Sequence, residues 1–145
     1  DLTATLLDVA GIDAPAGIRG TSLLDPELRA REGCDEDEVF VQISEDIVGR
    51  ALRTRRWKYA IEAPDADPTG DLGADRYEER FLYDLAADPY ELENLAGMDA
   101  FEGVVTDLRK RLVAHIAEVE GRTPSIVPAP SRHWEQRSPE LPTYP

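Results

Sequence analysis

VFVQISEDIVGRALRTRRWKYAIEA, residues 39–63, decides the fold of this chain. VFVQIS (39–44) and RALRTR (50–55) are short, β-branched and aromatic runs of strand type, and EDIVG between them, ending in Gly49, suits a hairpin connection. In WKYAIEA (57–63), Trp57, Tyr59 and Ile61 alternate with Lys58, Ala60 and Glu62, the period of a strand buried on one face. RFLYDL (80–85) supplies a fourth run beyond the loop-type segment PDADPTGDLGAD. Short neighbouring strands of this kind predict an antiparallel sheet with one face covered.

The cover lies downstream. Over 101–120, Val105, Leu108, Leu112, Ile116 and Val119 fall on one helical stripe, with Asp107 and Arg111 placed to pair across one turn of the outer face. Gly121 ends that helix. Between sheet and helix, FLYDLAADPYELENLAG (81–97) carries Asp88, Pro89 and Glu91 in capping-box spacing. That spacing predicts a strand turning into a short helix, with Asp88 and Glu91 as structural caps. Asp99 and Glu102 repeat the spacing before the longer helix.

Upstream, Leu2, Leu6, Leu7, Val9 and Ala10 have helical spacing that stops at Gly11, and a glycine- and proline-punctuated loop follows. Downstream, residues 122–145 hold six of the eleven prolines and predict an extended tail, draped over a surface or disordered. The fold expected is therefore α+β. A small antiparallel sheet of about four strands is packed by a long C-terminal helix, preceded by one helix and followed by a proline-rich tail.

Composition narrows the function. The chain has 145 residues, 41% of them hydrophobic, enough to bury the core of one domain. A net charge of -14 argues against nucleic acid and anionic membrane surfaces as partners, since both require basic patches. No apolar run is long enough for a transmembrane helix. The dispersed acid, with Lys58 and Lys110 the two lysines among sixteen basic residues, suits either work at high salt or an ordinary acidic protein. The start at Asp1, without a signal-peptide pattern, is expected to be the middle of something longer.

Catalytic candidates are few. Cys34 is the single cysteine, and the carboxylates around it in EGCDEDE oppose thiolate formation. His115 borders the helix stripe, and His133 lies in the tail beside Trp134, so the two histidines make neither a triad nor a zinc site. Asp84, Asp88, Glu91 and Glu93 invite a calcium reading, but the stretch lacks the alternating ligands and central glycine of a calcium loop. The hairpin SEDIVGRALRTRR retains a functional reading. Ser44, Glu45 and Arg50 surround its turn as substrate-rim candidates, with Arg53, Arg55 and Arg56 beyond, and arginine forks suit sulfate or phosphate oxyanions. The competing reading is a charge-compensated edge.

Four segments together resemble the C-terminal part of the sulfatase family, within the alkaline phosphatase superfamily. DLTATLLDVAGIDAP (1–15) is similar to the family's D-L-x-P-T-L-L-D-L-A-G-I-P, with Ala4 in place of the common proline, and IRGTSLL (18–24) to the G-x-S-L-L that follows. RALRTRRWKYAIEA (50–63) resembles R-x-I-R-T-x-x-W-K-Y-I, and residues 81–97 resemble E-L-Y-D-L-x-x-D-P-x-E-x-x-N-L-A.

The resemblance implies that residues 1–24 end a large α/β domain, that 25–121 form the C-terminal subdomain, and that 122–145 are a tail outside it. It further implies a parent that hydrolyses sulfate esters, of a small molecule or a carbohydrate, with a formylglycine made in a C/S-x-P-x-R motif and one divalent metal, usually calcium. Those motifs precede the matched region. Cys34 is followed by Asp35-Glu36-Asp37-Glu38 and is not the modified cysteine. The resemblance thus assigns no catalytic residue, metal ligand or cofactor to this chain, and its partner would be the N-terminal catalytic domain. A phosphonate monoester hydrolase or phosphodiesterase of the same superfamily, or a free-standing binding or assembly module, are the alternatives.

Overall fold

The computed structural model describes residues 1–18, 20–27 and 38–132. Cys34, His133 and Trp134 lie outside the described residues, as do Asp35 to Asp37 and most of the proline-rich tail. The chain divides into two compact units, Asp1–Asp37 and Glu38–Pro145.

In the first unit, α1 spans Leu2–Val9 and ends at Gly11, whose φ of 67° is the left-handed backbone that glycine adopts without cost. Asp1 anchors the following loop, its Oδ1 accepting the Thr21 N–H at 2.9 Å, while Ser22 Oγ donates to Asp8 at 2.6 Å. Ala4 is the buried residue of the helix; Leu2, Leu6 and Val9 are exposed.

In the second unit, β1 (Glu38–Ser44), β2 (Val48–Thr54), β3 (Trp57–Glu62) and β4 (Arg76–Asp84) form an antiparallel meander. A three-residue connection, 45–47, closes the first hairpin. The expected sheet is present, with β4 beginning at Arg76, four residues before the hydrophobic run that announced it. Phe40, Leu52, Tyr59 and Leu82 lie in register across the four strands on the covered face. Helix α2 (Glu102–Glu120), entered through a 3-10 turn at Asp99–Phe101, lays Val105, Leu108, Leu112 and Ile116 into the same core.

Three expectations need correction. First, the tail does not simply drape: β5 (Ser125–Val127) pairs with β4, and in parallel. The reason is α2 itself, a crossover helix that returns the chain to run in the direction of the strand it left. Second, Val119 does not continue the buried stripe; it is 38% exposed. The i, i+4 row Leu108, Leu112, Ile116 continues instead into Glu120, which meets Arg50 at 2.6 Å. Third, no helix follows Asp88. Residues 85–98 are turns and extended backbone, and Glu91 stands at φ 56°.

Candidate functional site

The hairpin residues singled out in the sequence come to very different places. Ser44 is half-buried at the end of β1, and Glu45 is exposed in the turn. Arg50 points the other way, into the covered face, and only 2% of it is exposed. Its Nε donates to Glu120 Oε1 at 2.6 Å, Nη1 donates to the carbonyls of Gly49 at 2.6 Å and Ile43 at 3.2 Å, and Nη2 donates to the carbonyl of Leu72. The guanidinium also sits over the Tyr77 ring, 6.0 Å from its centroid.

One buried fork therefore joins the hairpin, the 63–75 loop and the end of α2. A guanidinium used this way is a brace, and its geometry does not offer it to a ligand at the rim. Burial pushes the Glu120 carboxyl up, but hydrogen bonds from Arg50 and Gln42 and the Arg50 and Arg122 charges outweigh it, and the group stays below its usual range.

The second conspicuous segment, 81–97, is tied to the strand pair it resembles as a motif neighbour. Arg56 grips Asp84 through Nε at 3.1 and 3.2 Å and through Nη2 at 2.8 Å, a bidentate fork. Leu85 N–H donates to the Arg56 carbonyl at 2.6 Å. The Arg56 hydrogen bonds, against the opposing effect of burial and together with the Ala86 and Ala87 backbone, hold the Asp84 carboxyl below its usual value.

Lys58 reaches Glu91 at 2.5 Å and lies over the Tyr83 ring, 5.8 Å from its centroid. That tertiary partner explains why the capping box fails. Glu91 turns toward Lys58, and Asp88 Oδ2 accepts the Glu93 N–H at 2.8 Å, five residues on, closing a loop where a helix was expected. Asn94 completes the seam: its Oδ1 accepts the N–H groups of Leu82 at 3.1 Å and Ala96 at 3.0 Å, and its Nδ2 donates to the Arg80 carbonyl at 2.8 Å.

Two further clusters were missed in the sequence. Glu79 is buried on the covered face, accepting from Tyr59 Oη at 2.7 Å, from Arg109 at 2.8 and 2.6 Å, and from Ala129 N–H at 3.0 Å. Burial, then the hydrogen bond and charge of Glu79, push the Tyr59 phenol well up, so it stays a donor. Glu38, at the start of β1, holds α2 through Arg111 and through His115 Nε2 at 2.6 Å, while the His115 ring stacks on Phe40. Burial pushes Glu38 up, but these hydrogen bonds and the Arg111 charge prevail and lower it. The expected Asp107–Arg111 pair is present at 3.2 Å. A residue count could have flagged Glu79, an acid in period-two step with Tyr77.

The carboxylates once considered for calcium are thus dispersed: Asp84 to Arg56, Glu91 to Lys58, and Asp88 to the Glu93 backbone. Among the described residues no group of three or more His, Cys, Asp or Glu side chains converges on a point that could hold a metal ion. What these clusters do is clamp strands, loop and helix into one piece.

With that geometry in view, the comparisons with known proteins are specific. No protein-family model matches the chain. An ulvan-active sulfatase of Formosa agariphila is 26% identical over 127 residues, covering 82% of this chain and 22% of the relative. A solved sulfatase-type structure from Bacteroides thetaiotaomicron VPI-5482 is 28% identical with a TM-score of 0.58, over 83% of this chain and 24% of that one. The fold is shared also with a protein solved with its substrate D-glucosamine-2-N,6-O-disulfate, at 23% identity and a TM-score of 0.63, over 86% of this chain and 24% of that one.

The chain thus spans about a quarter of the length of the relatives it matches. It is similar to sulfatases over most of its own length, and the resemblance to the C-terminal part of a sulfatase stands.

Proposed function

We propose that this chain is the scaffolding C-terminal part of a sulfatase, and that the longer protein hydrolyses sulfate esters with groups this chain does not supply. The observation that carries the reading is a coincidence of sequence and structure. Two segments read as sulfatase-like, 50–63 and 81–97, clamp each other through Arg56–Asp84 and Lys58–Glu91, within a chain whose relatives are sulfatases. Side chains spent on mutual ion pairs fix relative position, and position is what a catalytic domain requires of a neighbouring subdomain.

The parent's formylglycine and divalent metal, calcium, would be held by the N-terminal catalytic domain, which is the partner proposed for this chain. The described residues here do not fit such a site, since no three of their His, Cys, Asp or Glu side chains converge and Glu79, Asp84, Glu91 and Glu120 are paired with Arg or Lys. A sulfate ester of a small molecule or carbohydrate would reach this chain only at an exposed edge such as the Ser44–Glu45 turn.

The testing experiment is a substrate panel on the complete protein that carries this chain. Hydrolysis of an aryl sulfate at least tenfold faster than of the matching aryl phosphate and phosphonate monoesters is expected. A preference for either phosphorus ester would replace the sulfatase reading with the other hydrolase of the superfamily.

A further inference from the structure

The sheet of the second unit has two faces, and α2 covers one of them. The other face carries an apolar middle row with charged positions on either side of it. Val39, Val41 and Ile43 of β1 are 58%, 44% and 44% exposed. From Val41 a row of small and apolar side chains runs in register through Ala51 of β2 and Ala60 of β3 to Phe81 of β4, while Val39 stands opposite Arg53 and Ile43 opposite Gly49. Phe81 and Tyr83 stack at 6.0 Å at its far side and are half-buried.

Gly49 belongs to this surface too. A Cβ there would stand 3.0 Å from Ile43 Cγ2 and 3.4 Å from Ile47 Cδ1, so the missing side chain lets both isoleucines lie across the sheet. Charges flank this row, Arg53 and Lys58 on one side and Glu62 on the other, with Arg80 paired to Glu62 and Lys58 to Glu91. An apolar patch with a charged rim marks an interaction surface, and an exposed hydrophobic edge strand such as β1 is a hazard unless something lies on it.

We propose that this open face is the docking surface for the catalytic domain of the longer protein. The inference rests on the function proposed above and adds the surface through which the two parts meet. About three quarters of each relative's length lies outside the region this chain matches, so the occupant is the rest of the same polypeptide. A face with small and apolar residues along its middle row suits the side of another secondary-structure layer.

Hydroxyl-radical footprinting of the unaltered protein, with one substitution beside it, tests this. Phe81 and Tyr83 should be oxidised at least tenfold more slowly in the complete protein than in the 145-residue chain, and Val41→Asp should lower the complete protein's thermal midpoint by about 5 °C or more. The same substitution should move the midpoint of the 145-residue chain by under about 2 °C, as expected at an open surface. Equal oxidation of Phe81 and Tyr83 in both proteins would overturn the proposal. So would protection already present in the chain alone together with sedimentation as a dimer, which would make a second copy the occupant. Aryl sulfatase activity assayed on the same complete protein separates the two levels: its absence strikes the proposed function, while the footprint still decides the docking face.

Discussion

Arg50 shows why a residue type does not settle a role. Ser44, Glu45 and Arg50 crowd one turn in the sequence, and arginine forks suit oxyanions, yet period-two alternation sends Arg50 inward, opposite Gln42 and Ile61, onto Glu120. The consequence is measurable as stability. Arg50→Ala removes the buried charge that pairs with Glu120 and the guanidinium donors to three backbone carbonyls, and should cost about 3 kcal/mol in urea unfolding. Arg50→Lys should recover less than half, because an ammonium lacks the planar fork. A cost under about 0.5 kcal/mol for the alanine variant would return Arg50 to the rim.

The acids paired to these arginines also set a pH dependence. Glu38, Asp84 and Glu120 all titrate below their usual values when folded. The stability they contribute is therefore fully present above the unfolded carboxylate range, about 4 to 4.5, and is lost as pH falls through the lower folded values. The urea midpoint should hold steady from pH 7 to 5 and drop below about 4.5, less steeply in Glu120→Gln. A midpoint that rises on acidification would contradict these pairings.

At the scale of elements, the sequence was most legible where periodicity was long. The strands of the first hairpin and β3, the α2 stripe from Val105 to Ile116, and the stop at Gly121 were each readable from spacing alone. Legibility failed where a distant partner overrode a local rule. Asp88-Pro89-x-Glu91 satisfies every local condition for a helix start, but Lys58, thirty-three residues earlier in the chain, takes Glu91.

Strand β4 misled for a related reason. At Ala60/Ile61 the pairing shifts, and Arg80 is the extra residue between Phe81, opposite Ala60, and Glu79, opposite Ile61. Tyr77 and Glu79 face the core on odd numbers, Leu82 and Asp84 on even ones, so no single alternation runs through the strand. The bulge leaves the Arg80 carbonyl to Asn94, whose amide then holds Leu82 and Ala96. Asn94→Ala should accordingly cost about 1–3 kcal/mol, since it strips two backbone N–H groups and one carbonyl of their partners. Asn94→Asp keeps the acceptor and should cost less. Identical losses for the two variants would mean that the acceptor oxygen is irrelevant. For comparison, Leu112→Ala, fully buried under the sheet, should cost about 2–5 kcal/mol by cavity formation.

At the scale of the molecule, the distribution of interactions carries the functional argument. The well-partnered charges lie between elements of the second unit, binding β1 to α2, the hairpin to α2, and β3 to the 85–98 loop. Unpartnered apolar surface lies on the open sheet face and, within the first unit, on α1, where Leu2, Leu6 and Val9 are 69%, 63% and 70% exposed. The four motif segments were legible because each encodes such bracing or such a face. The substrate was not, because none of the four segments carries a motif that specifies one.

The central claim, a scaffold that carries no reacting groups of its own, is tested most directly by assaying the purified 145-residue chain. With calcium in excess and an aryl sulfate as substrate, turnover should be indistinguishable from the blank. Turnover above blank, abolished by a substitution within this chain, would place the chemistry here and contradict the account.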